Sequence, residues 1–527
     1  MKISYRLTAF VLFCTLVSGC SLRLPLFTSG RPERVITPEL LKTHIEYLAS
    51  DKMLGRNTPS PQLDTCAQYI AREFDAAGLA SINGTHFQTV RMMKVKLGKD
   101  NILRFEKQGS AKAFTIKTDF VPFECTANRE ATGPVVFAGY GITAPEYHYD
   151  DYQGLNVKGK IVVVMRHEPG EEDPKSVFKG KEATEYSGVT KKMEIAISHG
   201  AVGMLVITDP LNHGSLTPRG FPWPSLSRNI PEDALPLSLE IEENTKIPVV
   251  HIGKEVIAYL FGSVDSLLSV QKRIDSTFNP ASFEIDAVGG DVQTTTILEH
   301  ALANNVVGFL EGSDPTLKNE VVIIGGHYDH VGYLKDAPAG TDSIFNGADD
   351  NASGTSGVLA IARAVGMMKE HPKRSLLFIT FAGEEKGLFG SQWYVDHPLI
   401  PLNRTAAVVN LDMIGRNSAD SIGLIGYTRC PQLDSIAREV DTDLGIQHSF
   451  ERFINQSDHA SFMKKNIPFI FFNSGEHGDV HKVTDNPDKI NFEKAARVSR
   501  FAFRLALHLA NDDHHYNVSS TTHTENP

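Results

Sequence analysis

The chain has 527 residues, 41% hydrophobic and 22% charged, with a formal net charge of −11. That length and apolar content suffice for a large core divided over more than one domain. The acidic balance argues against a nucleic-acid partner, because binding to phosphates calls for a basic surface.

Lys2 and Arg6 precede the apolar stretch LTAFVLFCTLV, and Ser18, Gly19 and Cys20 follow it. A short basic region, an apolar core and small residues make the pattern of a secretory signal, too short for a comfortable transmembrane anchor. VSGC resembles a bacterial lipobox, which implies a signal peptide over 1–19, a lipid anchor on Cys20 and a tether over 20–36. An ordinary signal peptide with an incidental cysteine is the alternative. Ser21, rather than an aspartate, follows the cysteine, which points to the outer membrane of a bacterial cell envelope. With Cys14 removed, Cys66, Cys125 and Cys430 remain, too widely spaced for a disulfide framework, and one pair among them stays open. The absence of CxxC argues against a thiolate zinc site.

From Thr37 the periodicity of TPELLKTHIEYLASD predicts a helix, with Thr37 as cap and Pro38 in its first turn. A second amphipathic helix, QLDTCAQYIAREFDAAGL, ends near Gly78, and residues 86–125 read as strand-rich. Between about 130 and 275 the texture changes. GPVVFAGYG, KGKIVVVMR, GMLVITDP and IPVVHIG are short strands bounded by glycine and proline, with helical candidates KKMEIAISHGAV and KEVIAYLF. This predicts a small α/β unit with a surface loop over 211–236 and with His199, His213 and His251 as structural or surface groups.

From about 295, strands near 305–310, 321–326, 376–381, 406–411 and 467–472 alternate with helices near 353–369, 430–444 and 492–510. That alternation predicts a three-layer, mostly parallel α/β sheet. Residues 512–527 are polar and read as a frayed tail. Three of the apolar strands end in polar groups: IIGG runs into His327, Tyr328, Asp329 and His330, LLFITF into Glu384 and Glu385, and AAVVNL into Asp412. Functional groups gather beyond the carboxyl ends of parallel strands. Clustered carboxylates repel one another, and burial penalises their charge, so a bound cation resolves both problems. The candidate ligands are His327, Asp329, Asp349, Asp350, Glu384, Glu385, Asp412, Asp458, His459 and His481. They suit zinc, manganese or cobalt and exceed the needs of one ion.

The ordered motifs H-x-D, G-A-D-D-x-x-S-G, G-E-E, N-x-D-M and H-x-x-x-D resemble the co-catalytic dizinc peptidase family M28. HIEYLASDKMLGRNTPSPQLDTCAQYIAREFDAAGL is similar to that family's N-terminal region, and DVHKVTDNPDKINFEKA to its closing signature. Residues 130–275 resemble the protease-associated (PA) domain that many members carry as an insertion. The resemblance implies a zinc-exopeptidase-like domain built from 37–129 and 276–511 and interrupted by the smaller PA domain. It implies two divalent ions, zinc by family habit. His327 and Asp412 would hold one, Glu385 and His481 the other, and Asp349 would bridge them, with Asp350 as its cis-peptide neighbour. Glu384 would be the general base and Asp329 the orienting partner of His327. Asp458, His459 and His477 are expected near the substrate. His330 is as readily a solvated loop histidine as a substrate contact, and Arg416 and Arg452 read as salt-bridge residues.

The expected activity is removal of N-terminal residues from peptides with a free amino end. A carboxypeptidase or dipeptidase of the same fold is the enzymatic alternative, and a catalytically inactive, receptor-like protein the non-enzymatic one. The full ligand set argues against a one-zinc glutaminyl cyclase.

Overall fold

The computed structural model describes residues 31–181, 183–219, 237–241, 246–440 and 444–519. The expected signal peptide and Cys20 lie outside them. Among the described residues no helix is long and apolar enough to cross a membrane.

The first two helices form where the periodicity places them. In Pro38–Leu48, Leu41, Ile45 and Leu48 make one buried stripe, and the Thr37 hydroxyl accepts the Leu40 N–H at 3.2 Å. In Pro61–Ala76, Ser60 caps the Leu63 N–H at 3.1 Å. Within the expected tether, Pro32–Val35 forms a short 3-10 helix and Ile36 is fully buried.

A nine-stranded sheet organises the larger unit. Its centre is four parallel strands in the order Ser375–Phe381, Val321–His327, Thr405–Leu411, Phe469–Asn473. The first, second and fourth are buried along their whole length and the third along all but one residue, as continuous apolar runs require when both faces are covered. Antiparallel strands flank the centre. Thr296–Leu310 joins one side and pairs in turn with Phe87–Leu97, and Ser421–Ile425 joins the other. Pro38–Leu48, Pro61–Ala76, Gly354–Gly366 and Phe492–Asn511 pack together as one helical group, and Phe389–Asp396 with His459–Met463 as a second.

The smaller unit is an eight-stranded sheet with its own core. Its sheet also takes in strands from outside the expected 130–275. Ile102–Lys107, Ser110–Ala113 and Phe120–Pro122 belong to it from one side, and Phe283–Gln293 from the other. The cause is the register of the larger sheet. Phe87–Leu97 and Thr296–Leu310 pair along eleven residues down to Leu97 opposite Thr296, so the chain leaves and re-enters side by side between 97 and 296. Leu237–Leu239, inside that interval, returns to pair with Phe87–Leu97.

The tail also departs from expectation over 512–519. Arg374, fully buried, donates to the carbonyls of Asp512 and His514, and the Ser519 N–H reaches the Arg429 carbonyl at 2.7 Å. Residues 520–527 lie outside the described residues. Cys66, Cys125 and Cys430 are buried free thiols, so the pair left open does not form.

Candidate metal centre

The central register brings the polar strand ends to one edge. His327 lies opposite Phe381, and Gly325 opposite Asn410, so His327, the turn carrying Glu384 and Glu385, and Asp412 leave the sheet together. A loop over 347–353 reaches the same edge. Gly347 starts it at φ +55°, and the fully buried Arg56 binds its carbonyls at Gly347 (2.6 Å) and Asp350 (3.2 Å).

Two donor clusters result. One holds His327, Glu384 and Asp412, and the other His330, Asp350, Glu385 and His481. His327 Nε2 lies 3.3 Å from Asp412 Oδ1 and 3.8 Å from Glu384 Oε2. His481 Nε2 lies 3.0 Å from Glu385 Oε2. The two oxygens of Asp350 divide between the clusters, with Oδ1 3.4 Å from His327 Nε2 and Oδ2 3.1 Å from His481 Nε2.

The carboxylate between the clusters is therefore Asp350, and the expectation for Asp349 is corrected. Asp349 Oδ1 accepts the Gly415 N–H at 2.7 Å, and Oδ2 faces His477 Nε2 at 3.2 Å. The Asp485 carboxylate accepts the N–H groups of both Asp349 and Asp350. These contacts turn adjacent side chains in different directions. The cis peptide bond follows the same shift and joins Asp350 to Asn351.

A cavity of about 470 Å³ opens over the clusters. Asp350, Glu384, Glu385, Asp412 and His481 form its polar wall, and Met413, Phe453, Phe471 and Val480 its apolar one. No arginine among the described residues lines it. Arg416 instead pairs with Asp479 at 2.8 Å, and Arg452 lies over the Phe453 ring.

Residues 305–506 match the family model of Peptidase family M28, and residues 131–260 that of the PA domain. The chain thus carries a segment that matches the M28 peptidases and, ahead of it, one that matches the PA domain. It is 28% identical over 198 residues to Leucine aminopeptidase 2 of Trichophyton equinum, covering 36% of this chain. It is 30% identical over 358 residues to Aminopeptidase NAALADL1 of Mus musculus, covering 56% of this chain. It spans 36% and 43% of the length of these two relatives. Among solved structures, an aminopeptidase from Aneurinibacillus sp. strain AM-1 aligns over 93% of this chain and 96% of its own, at 18% identity and a TM-score of 0.44.

Within the M28 domain the donors suit a divalent ion of the zinc class, since imidazole and carboxylate make up both clusters. Two buried atoms support the fit: Asp412 Oδ1 and His330 Nε2 have no hydrogen-bond partner. The electrostatics show the strain of the packed charges. Burial raises the Glu384 carboxyl well above its ordinary range; His327 opposes this, while Asp412, Asp458 and Glu385 add to it. Burial alone would lower His327, but Glu384 and Asp412 outweigh it and hold the imidazole well above its usual value. Burial would raise Asp350, but the hydrogen bond to His327, the charge of His330 and the hydrogen bond to His481 bring it well below its usual range. Hydrogen bonds to Asp350 and Glu385 lift His481 to about 10.

Asp329 sits where it can orient this cluster. Its Oδ1 accepts the Glu384 N–H at 3.2 Å, and its Oδ2 the Thr58 hydroxyl at 2.8 Å. Its carboxylate is 3.7 Å from His327 Nδ1, which lies closer, at 3.3 Å, to the Asp329 carbonyl. The three expected substrate contacts do not line the cavity. Asp458 is fully buried behind it, and burial pushes its carboxyl up to about 7. His459 donates to the Ile454 carbonyl at 2.8 Å and stacks beneath Phe471, and His477 faces Asp349. Sequence reasoning passed over Arg56 and Asp485 and left His330 open. His330 Nδ1 lies 2.7 Å from Glu385 Oε1. Its place three residues after His327, on the same strand exit, was the available signal.

Proposed function

We propose that the chain is a two-metal aminopeptidase that removes N-terminal residues from unblocked peptides. The observation that carries this is the Asp350 carboxylate, divided between the two donor clusters beneath a cavity rich in carboxylates. His327, Asp412 and Asp350 would hold one ion, and Asp350, Glu385 and His481 the other. Such ions, zinc by the donor set, would polarise the scissile carbonyl and acidify water.

The remaining work falls to the chain. Glu384, on the cavity wall and outside that ligand set, accepts the proton of the attacking water and returns it to the leaving amine. Asp329 fixes the Glu384 backbone through its N–H and so aims the carboxylate. The acidic wall attracts a substrate ammonium, while a substrate carboxylate would find no arginine there to hold it. Met413, Phe453, Phe471 and Val480 offer an apolar surface to the first side chain, which supports a preference for apolar residues. VSGC supports a further part of the reading: export and anchoring through lipidated Cys20 to the outer membrane of a bacterial envelope. Mass spectrometry showing an unmodified mature N-terminus would reject that anchor.

The deciding experiment compares free and N-acetylated peptides. Acetylation should cut kcat/KM at least tenfold, since a lost charged contact is worth roughly 1.5–3 kcal/mol. Equal hydrolysis of both, or release from the carboxyl end, would replace this reading with a carboxypeptidase.

A further inference from the structure

The PA domain holds a four-residue constellation outside the catalytic cavity: His167, Glu171, Asp209 and His213. The topology of its sheet makes the constellation. Ile161–Met165 and Gly203–Ile207 are adjacent parallel strands with Met165 opposite Ile207. The ladder continues one residue further, with the Arg166 N–H on the Ile207 carbonyl at 2.8 Å. His167 and Asp209 therefore emerge side by side, each two residues beyond a paired position. Each brings a second donor four residues later, Glu171 after His167 and His213 after Asp209.

The four side chains converge. His167 Nδ1 lies 2.6 Å from Asp209 Oδ1 and 3.3 Å from Glu171 Oε2. His213 Nε2 lies 2.6 Å from Glu171 Oε1 and 3.6 Å from Asp209 Oδ2. The two imidazole rings face each other with centroids 4.2 Å apart. Asp209 is fully buried, and its Oδ2 has no hydrogen-bond partner. The ammonium of buried Lys192 donates to the carbonyls of Tyr140 and His167 and makes no hydrogen bond to this oxygen. A buried carboxylate oxygen without a donor, aimed among two imidazoles and a second carboxylate, is the arrangement a cation completes.

We propose that His167, Glu171, Asp209 and His213 form a structural metal site in the PA domain, separate from the peptidase centre, that takes one divalent transition ion of the zinc class. Two imidazoles and two carboxylates suit a closed four-coordinate zinc site, whereas calcium and magnesium take all-oxygen shells. The ion would tie the loops that follow two neighbouring strands, so its effect is on stability and not on turnover.

The test uses the full chain and zinc itself. Metal per chain is measured after dialysis for the wild type, for the double variant His167→Gln/His213→Gln, and for a chain with both catalytic clusters disabled by His327→Ala, Asp350→Asn and His481→Ala. The double variant should lose one equivalent relative to the wild type and keep peptidase activity within about twofold. The catalytically disabled chain should retain one equivalent, and adding His167→Gln/His213→Gln should remove it. Should the double variant fold poorly, Co2+ loaded into the catalytically disabled chain gives a second reading: a tetrahedral visible spectrum that the half-exposed His213→Gln alone alters. A disabled chain that binds no metal, or an equivalent that survives loss of both histidines, overturns the proposal. Either result is independent of whether the catalytic centre holds two ions.

Discussion

Asp349 and Asp350 are chemically identical neighbours, yet their surroundings give them different work. The Asp349 carboxylate is held by the Gly415 N–H and faces His477, while Asp350 reaches both donor clusters. Asp350→Asn should therefore strip metal from the catalytic centre and abolish hydrolysis. Asp349→Asn keeps an oxygen for the Gly415 N–H and should retain its metal; metal analysis of the two variants decides, and the reverse result would return the bridging role to Asp349. Glu384→Gln should keep metal and lose about 10²–10⁴-fold in kcat, the usual weight of a positioned proton-transfer group. Loss of metal in Glu384→Gln would instead make that residue a ligand. His327, Glu384, Glu385, Asp412 and His481 were legible because each follows an apolar strand or sits in an ordered motif. The choice within ADD was not, because nothing in a string of letters says which of two adjacent carboxylates a loop turns inward.

The loop that makes that choice depends on residues remote in sequence. Arg56 is fully buried and donates to the carbonyls of Leu48, Tyr328, Asn346, Gly347 and Asp350. It joins the first helix, the exit of the central strand and the loop bearing Asp350. Arg56→Met would leave these carbonyls without their donor, and losing one partner of such a buried charged network costs about 3–5 kcal/mol. Urea unfolding should show that loss together with weaker metal retention; a change under 1 kcal/mol would mean that water or a neighbour replaces the guanidinium. Gly347→Ala tests the same loop from its backbone. The residue has φ +55°, and a Cβ would stand 2.2 Å from the Asp350 carbonyl oxygen and 2.5 Å from the His330 ring. The loop must move, so activity should fall even where the chain remains folded. Helices and central strands could be read from periodicity and apolar runs. The strands that the smaller sheet takes from outside 130–275 could not, because their place follows from cross-strand register between segments two hundred residues apart. The four PA-domain donors, spread from 167 to 213, lacked a motif for the same reason.

At the scale of the whole molecule, both domains bury histidines whose neutral form the fold requires. Burial lowers His44 to about 4 and His251 and His459 to about 3. Buried carboxyls act in the opposite sense, since burial raises Asp151 and Asp458 to about 7. The net acid response of the wild type therefore mixes opposing contributions, and a difference between two chains isolates one. His251 is the cleanest choice, because it lies in the PA sheet, with Nε2 2.9 Å from the Thr208 hydroxyl and Nδ1 accepting the Arg219 N–H at 2.8 Å. Its folded value is depressed, so the unfolded chain binds the extra proton. The stability this histidine contributes is complete above about pH 6.5 and falls as pH drops from there toward 3. The slope is about 1.4 kcal/mol per pH unit, or roughly 2 kcal/mol by pH 5. His251→Gln, uncharged at every pH, should be less stable than the wild type at pH 7.5, where its lost hydrogen bonds cost about 1 kcal/mol. By pH 5 it should match or exceed the wild type. Urea unfolding at pH 7.5, 6.5, 5.5 and 5 measures the gap between the chains, and a gap that stays constant across that range would show that His251 does not take up its proton on unfolding.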